Sequence, residues 1–262
     1  LNLYFYNWIF LTCLLSFSQR YRSQGVSLTG PLGKKTSTPT SFAPDILFPI
    51  KRTTQRKSHN LETIKGKDIW NIHEVFWLDQ DNSAHQHEIS LSIPSNSENT
   101  VESKSMKLFI NSLIHRRFES FQEVSEIVKK SVENVVGSEV TIDKLHTAED
   151  IVGTNIKINT EYQLRKQTTK EAKIHKFSGF RSLCPVTAQP DLADIYLDAA
   201  IDTDFKNELS AYLGSYFNKQ CFHELCIELI HHDLVSAGID VISTKGFFER
   251  RGGIAIIPVR FS

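Results

Sequence analysis

Methionine is nearly missing from this sequence. The single one is Met106 and the chain opens on Leu1, so residue 1 is not expected to be a natural translation start. An excess of charge is missing too, because 30 basic residues balance 30 acidic ones. Without net charge there is no broad field to attract nucleic acid or an anionic membrane, so neither is expected as a partner. Any ionic ligand must be held by local groups. Cysteine is scarce. Cys13, Cys184, Cys221 and Cys226 form no CxxC pair, metal ribbon or disulfide framework, which points to the reducing cytoplasm, where free thiols persist. Neither GxGxxG nor GxxxxGK(S/T) occurs, so a Rossmann or P-loop nucleotide site has no support.

Basic residues are also absent ahead of Arg20, although Leu1 to Phe17 is almost wholly apolar. A secretory signal or anchor normally carries a basic start, and a run of about 17 residues is at the lower limit for crossing a bilayer. Residues 1–27 are therefore expected to be a leader that is non-native, from read-through of upstream sequence, or disordered. Residues 28–67 are rich in Ser, Thr, Pro, Lys and Arg, broken by Ile46-Leu47-Phe48, and are expected to form an extended arm outside the core.

Order is expected from Asp68. Ile69 to Leu78 and His85 to Ile93 have the aromatic and β-branched content of strands, joined by a polar turn into a hairpin. Glu102 to Ile114 has helical spacing. Ser120 and Glu123 form a capping box ahead of Phe121, Val124, Ile127, Val128, Val132 and Val135, and Gly137 ends that helix. Glu139 to Leu145 is a strand, and another is placed within Val152 to Tyr162, before an exposed crossing segment. The order then repeats: strands Ile174–Phe180 and Ala193–Ala199, a helix capped by Asp204, a helix from Phe222 to Ala237, and a closing hairpin across Arg251-Gly252-Gly253. The expectation is an α+β protein of two modules, residues 68–160 and 161–262, each an antiparallel sheet backed by paired helices.

Arg181 to Asp191 reads R-S-L-C-P-V-T-A-Q-P-D. Its two prolines suit a rigid presenting loop rather than a helix or central strand. Cys184 with Asp191 offers a soft nucleophile and a proton donor, against the plainer reading of a small buried thiol. Glu102, Ser103, Lys104 and Lys107 open a helix, where they could grip a ligand or simply cap it. Arg250 and Arg251 beside Gly252 could hold phosphate or be a solvated hairpin tip. His223-Glu224 continues as Leu-Cys-Ile, so it is not HExxH. His85 and His87 share a strand face and could bind zinc, but no third ligand is evident, and no metal is expected.

Together, F-R-S-L-C-P-V-T-A-Q-P-D, E-S-K-S-M-K-L-F, F-H-E, R-R-G-G and G-K-D-I-W-N-I-H-E-V-F-W-L resemble the nitrile reductases of queuosine biosynthesis, the QueF family. E-S-K-S precedes the cysteine loop, as in the family's long, two-module branch. The resemblance covers about Leu28 to Arg260. It implies tandem tunnelling-fold (T-fold) modules, a cytoplasmic homodimer, and NADPH-dependent reduction of 7-cyano-7-deazaguanine to 7-aminomethyl-7-deazaguanine. By the same likeness, Cys184 attacks the nitrile and Asp191 supplies a proton. Val101, Glu102, Ser103, His223 and Glu224 bind the substrate, and Ser103, Lys104, Arg251 and Gly252 bind NADPH, with Lys107 and Arg250 near its 2′-phosphate. S-L-C-P-V-T departs toward the short branch, Ala188 and Leu192 replace bulkier residues, and the leader has no counterpart. The rival readings are a zinc-dependent T-fold pterin or purine enzyme such as a cyclohydrolase, and a non-enzymatic nucleotide-binding module.

Overall fold

The computed structural model describes residues 37–148, 154–159, 171–201 and 203–262. The apolar leader and most of the segment between Glu149 and Lys170 lie outside them.

Strand β1 (Pro49–Lys51) and helix α1 (Arg52–Lys57) come first. They are followed by β2 (Gly66–Asp79), β3 (Ala84–Pro94), β4 (Asn99–Val101), α2 (Ser103–Ser112), β5 (Arg117–Phe118), α3 (Phe121–Val136) and β6 (Thr141–Asp143). The second half holds β7 (Thr154–Lys157), β8 (Glu171–Leu183), β9 (Pro190–Ile201), α4 (Thr203–Gly214), α5 (His223–Ser236), β10 (Val241–Phe248) and β11 (Ile254–Phe261). The class is α+β, as the alternating and helical periods predict. Asp204 falls inside the first turn of α4 rather than ahead of it.

The two halves do not form separate sheets. One sheet runs β6-β3-β2-β11-β10-β9-β8-β7, with β5 attached to β2, while β1 and β4 pair apart from it. The seam is the antiparallel pair β2–β11, in register from Ile72↔Ile254 to Gly66↔Arg260. Pairing is antiparallel except at β7–β8 and β2–β5. Both exceptions are short strands added beside a long one.

Two apolar cores cover the helical side of the sheet. In the first, Trp70, Ile72, Leu91 and Ile93 meet Met106 and Phe109 of α2 and Val124, Val128, Val132 and Val136 of α3. Helix α3 begins where Ser120 accepts from the Glu123 N–H and ends at Gly137, as its sequence predicts. The reciprocal arm of the capping box goes one residue astray, since Glu123 accepts from the Glu119 N–H. In the second core Phe177, Ile195 and Leu197 meet Leu209, Tyr212, Leu229 and Ile230.

The arm is more than a tether. Leu47 and Ile50 are buried, the Phe48 N–H donates to Ser105 Oγ at 3.0 Å, and its carbonyl accepts from the Glu102 N–H at 2.9 Å. Arg52 and Arg56 are buried as well. Arg52 pairs with Asp68 at 2.6 Å and Arg56 with Glu228 at 2.7 Å, while Arg260 bridges Asp68 at 2.8 Å and Glu228 at 2.9 Å. The composition of residues 28–67 led to an expectation of no core role. It missed these pairs because each partner is remote in sequence.

Candidate active site

The cysteine stretch is a hairpin tip, with strands running closer to the thiol than the prolines implied. β8 reaches Leu183 and β9 starts at Pro190, leaving a six-residue connection. Proline is tolerated at a strand's first residue because it lacks only a donor there. The tip is closed by the Cys184 N–H donating to the Gln189 carbonyl at 2.8 Å and the Ala188 N–H donating to the Cys184 carbonyl at 3.0 Å. Ala188 sits at φ 55°, a left-handed conformation unusual for a residue with a Cβ. Below the tip, Leu183 is bonded on both sides to the segment leading into α5, through the Lys219 carbonyl and the Cys221 N–H. Cys184 is partly exposed, whereas Cys221 and Cys226 are buried, and burial pushes the Cys221 thiol well up.

Cys184 opens onto a cavity of about 130 Å³ that also receives Val101, Ser103, Lys107, Asp191, His223, Glu224 and Arg251. Strands, helix starts and turns from both halves converge there. Asp191 is only 7% exposed. His223 Nε2 lies 3.4 Å from one of its carboxylate oxygens and Arg251 Nη1 lies 3.4 Å from the other. Lys107 feels Cys184, Asp191, Arg251 and Glu102; burial lowers its pKa first, and the two carboxylates and the thiol oppose that. Burial also raises Glu224, and the nearby Asp68 adds to the rise.

Not every expected residue reaches the cavity wall. Glu102 is 1% exposed and lies behind Val101 and Ser103, where its carboxylate accepts from the N–H groups of Lys104 at 2.6 Å and Ser105 at 2.8 Å. It is the N-cap of α2, and burial raises its pKa against those two bonds. Gly252 lines a neighbouring cavity of about 260 Å³ with Glu74, Lys107, Asn111 and Gly253. Lys104 and Arg250 line neither cavity. Ile50, Trp70, Thr100, Gln189 and Glu249 also line the first; Trp70 and Gln189 fall within motifs that carry the family resemblance but were given no role of their own, and Ile50, Thr100 and Glu249 had no sequence signal. Thr100 becomes visible only once β4 is placed opposite α5.

The strand histidines are engaged elsewhere. His85 bonds Asp79 at 2.8 Å, and His87 Nδ1 accepts from the Trp77 indole at 3.1 Å. Among the described residues no group of three or more His, Cys, Asp and Glu is placed to hold a metal ion. Among them, too, no helix is long and apolar enough to cross a membrane.

Residues 38–144 match the family model described as nitrile reductase, 7-cyano-7-deazaguanine-reductase N-term, and residues 190–261 match that of QueF-like protein. Cys184 falls between the two matches and Asp191 inside the second. Similar curated proteins include one of Acinetobacter baumannii (strain SDF), 32% identical over 88% of this chain and 92% of its own. Another, from Desulfotalea psychrophila, is 32% identical over 88% and 91%. A third, from Acinetobacter baylyi, is 31% identical over 88% and 92%. Each is named NADPH-dependent 7-cyano-7-deazaguanine reductase.

Proposed function

The chain belongs to the NADPH-dependent 7-cyano-7-deazaguanine reductase family, and we infer from that membership and from the cavity that it is an oxidoreductase reducing this nitrile to the primary amine. The observation that carries the reading is the meeting of Cys184, Asp191, His223 and Glu224 on one cavity from separate parts of the chain.

A nitrile carbon is a poor hydride acceptor until sulfur adds to it and its nitrogen is protonated, so nucleophile and acid must stand together. The Cys184 sulfur forms a bond to that carbon as one C–N π bond breaks, giving a thioimide. The nitrogen gains the proton that the thiol gives up, and Asp191 relays it. His223 and Arg251, one on each oxygen of Asp191, orient that carboxyl group. Glu224 and His223 take the N–H and amino edge of the heterocycle, with Glu102 holding Val101 and Ser103 in place behind it.

The residues present fit an anionic dinucleotide. Arg251 and Lys107 supply cations at the junction of the two cavities. Gly252, at φ 54°, comes so close that an added Cβ would meet Lys107 Cδ at 3.2 Å, so backbone is presented there without a side chain. Ser103, Arg251 and Gly252 would hold NADPH, with Lys107 toward its 2′-phosphate; the family likeness adds Lys104 and Arg250, which stand outside both cavity walls. NADPH supplies the two hydrides that the conversion of nitrile to amine requires.

Family membership also supports a place in queuosine biosynthesis, a duplicated tunnelling fold, a homodimer and a cytoplasmic location. Each half places a long antiparallel strand pair, β2–β3 and β8–β9, ahead of its two longer helices, which agrees with duplication, although the short strands β4 and β5 have no like-placed partner in the second half. The test is stoichiometric: protein, 7-cyano-7-deazaguanine and NADPH should give the aminomethyl product with two NADPH oxidised per nitrile. NADPH oxidation without amine formation, or no turnover, would defeat the reading.

A further inference from the structure

Resting on the function proposed above, we infer that Thr100 is a positioning residue that sets substrate selectivity by fixing the Glu224 carboxylate toward the heterocycle's amino group. In β4, Asn99 Nδ2 donates to the Val135 carbonyl at 3.0 Å, while Thr100 and Val101 both line the cavity. Of the two, Thr100 carries the polar group. Its hydroxyl donates to Glu224 Oε1 at 3.0 Å, across 124 residues of sequence.

That bond joins the two halves at one carboxylate. Thr100 is 3% exposed and Glu224 6%, so neither group has bulk water as a substitute partner. A carboxylate accepts at about four lone-pair sites. Thr100 fills one and the cavity-facing remainder is left for ligand N–H groups. β4 itself cannot drift, because Thr100 is paired with Ile50 of β1 and the arm beyond is anchored by Arg52 on Asp68. Asp68 on β2, Arg52 on α1 and His223 beside it on α5 all bear on Glu224. With Arg52 among these neighbours, a carboxylate free to rotate would have a competing partner rather than one fixed orientation. The Thr100 hydroxyl removes that freedom.

The experiment compares two ligands, 7-cyano-7-deazaguanine and the same heterocycle lacking its exocyclic amino group. Binding is measured by calorimetry in a Cys184→Ala background, so that covalent capture does not blur affinity. Thr100→Val keeps the shape and deletes the donor; Thr100→Ser keeps the donor. The inference predicts that Thr100→Val weakens the amino compound about tenfold or more and the deaminated one by less than about threefold, with selectivity restored by Thr100→Ser. Equal loss for both compounds, no loss, or failure of Thr100→Ser to restore selectivity overturns it. Should Thr100→Val not fold, Thr100→Ala also deletes the donor, and the same losses support or overturn the inference. Failure of the unsubstituted Thr100 protein to bind the amino compound would defeat the functional reading itself, a result separate from any difference between variants.

Discussion

At residue scale, chemistry and charge state are set by what surrounds each carboxyl group. Asp191 is almost enclosed, with a histidine and an arginine each 3.4 Å away. Asp191→Asn should slow thioimide formation by about a hundredfold or more and leave ligand affinity within a few-fold, measured by stopped-flow absorbance and by calorimetry. Glu224 differs because burial and Asp68 both raise its pKa. The ionised carboxylate offers both oxygens and is the stronger acceptor for N–H groups, so ligand affinity should decline as pH falls through a range above the ordinary glutamate value. Glu224→Gln should remove that acid limb, a change that affinity measured against pH will show. Much of this was legible. Cys184, Asp191 and His223-Glu224 stood out because their neighbours in sequence have special chemistry. Thr100 and Glu249 did not, since an isolated threonine or glutamate carries no local sign of what it will face.

At the scale of elements, α5 is the hinge between core and site. It is buried on nearly every side, its first turn carries His223 and Glu224, and its next turns carry Glu228 and His231. His231 is 3% exposed, touches Thr244 Oγ1 at 3.1 Å, and burial lowers its pKa from 6.5 to about 4. A histidine depressed in the folded state resists protonation that the unfolded chain accepts. Its contribution is therefore intact above pH 6.5 and is lost as pH falls toward about 4, by roughly 3 kcal/mol at most. Urea unfolding at pH 7 and pH 4.5 should show this loss, and His231→Gln should flatten it. Helix ends were readable from Ser120 and Gly137, because caps are local. The arm was not. Buried Arg52 and Arg56 look like solvated charges until Asp68 and Glu228 arrive from elsewhere in the chain.

At the scale of the whole molecule, the halves share one sheet, and the buried ion network crosses the seam. Arg260 on β11 holds Asp68 on β2 and Glu228 on α5 together. Removing one partner of a buried network strands the others in low dielectric, so Arg260→Met should destabilise by about 3–5 kcal/mol. Gly66 is a second seam point: a Cβ there would run into the Val259 carbonyl oxygen, so Gly66→Ala should also weaken the join. Thermal unfolding followed by near-ultraviolet and far-ultraviolet dichroism should give one coincident transition; two separated transitions would mean that the halves fold apart. The α+β class and the longer strands and helices could be read from hydrophobic period and turn residues. The continuous sheet could not, because β2–β11 pairing spans almost the full described chain and leaves no trace in either strand alone.

The central claim is capture of the nitrile by one sulfur atom, and intact-protein mass spectrometry tests it most directly. Protein mixed with 7-cyano-7-deazaguanine in the absence of NADPH should gain the mass of one nitrile, mapped by peptide fragmentation to Cys184, and should lose it when NADPH is added. Reduction of the nitrile by Cys184→Ala at an undiminished rate, or an adduct on Cys221 or Cys226 instead, would contradict it.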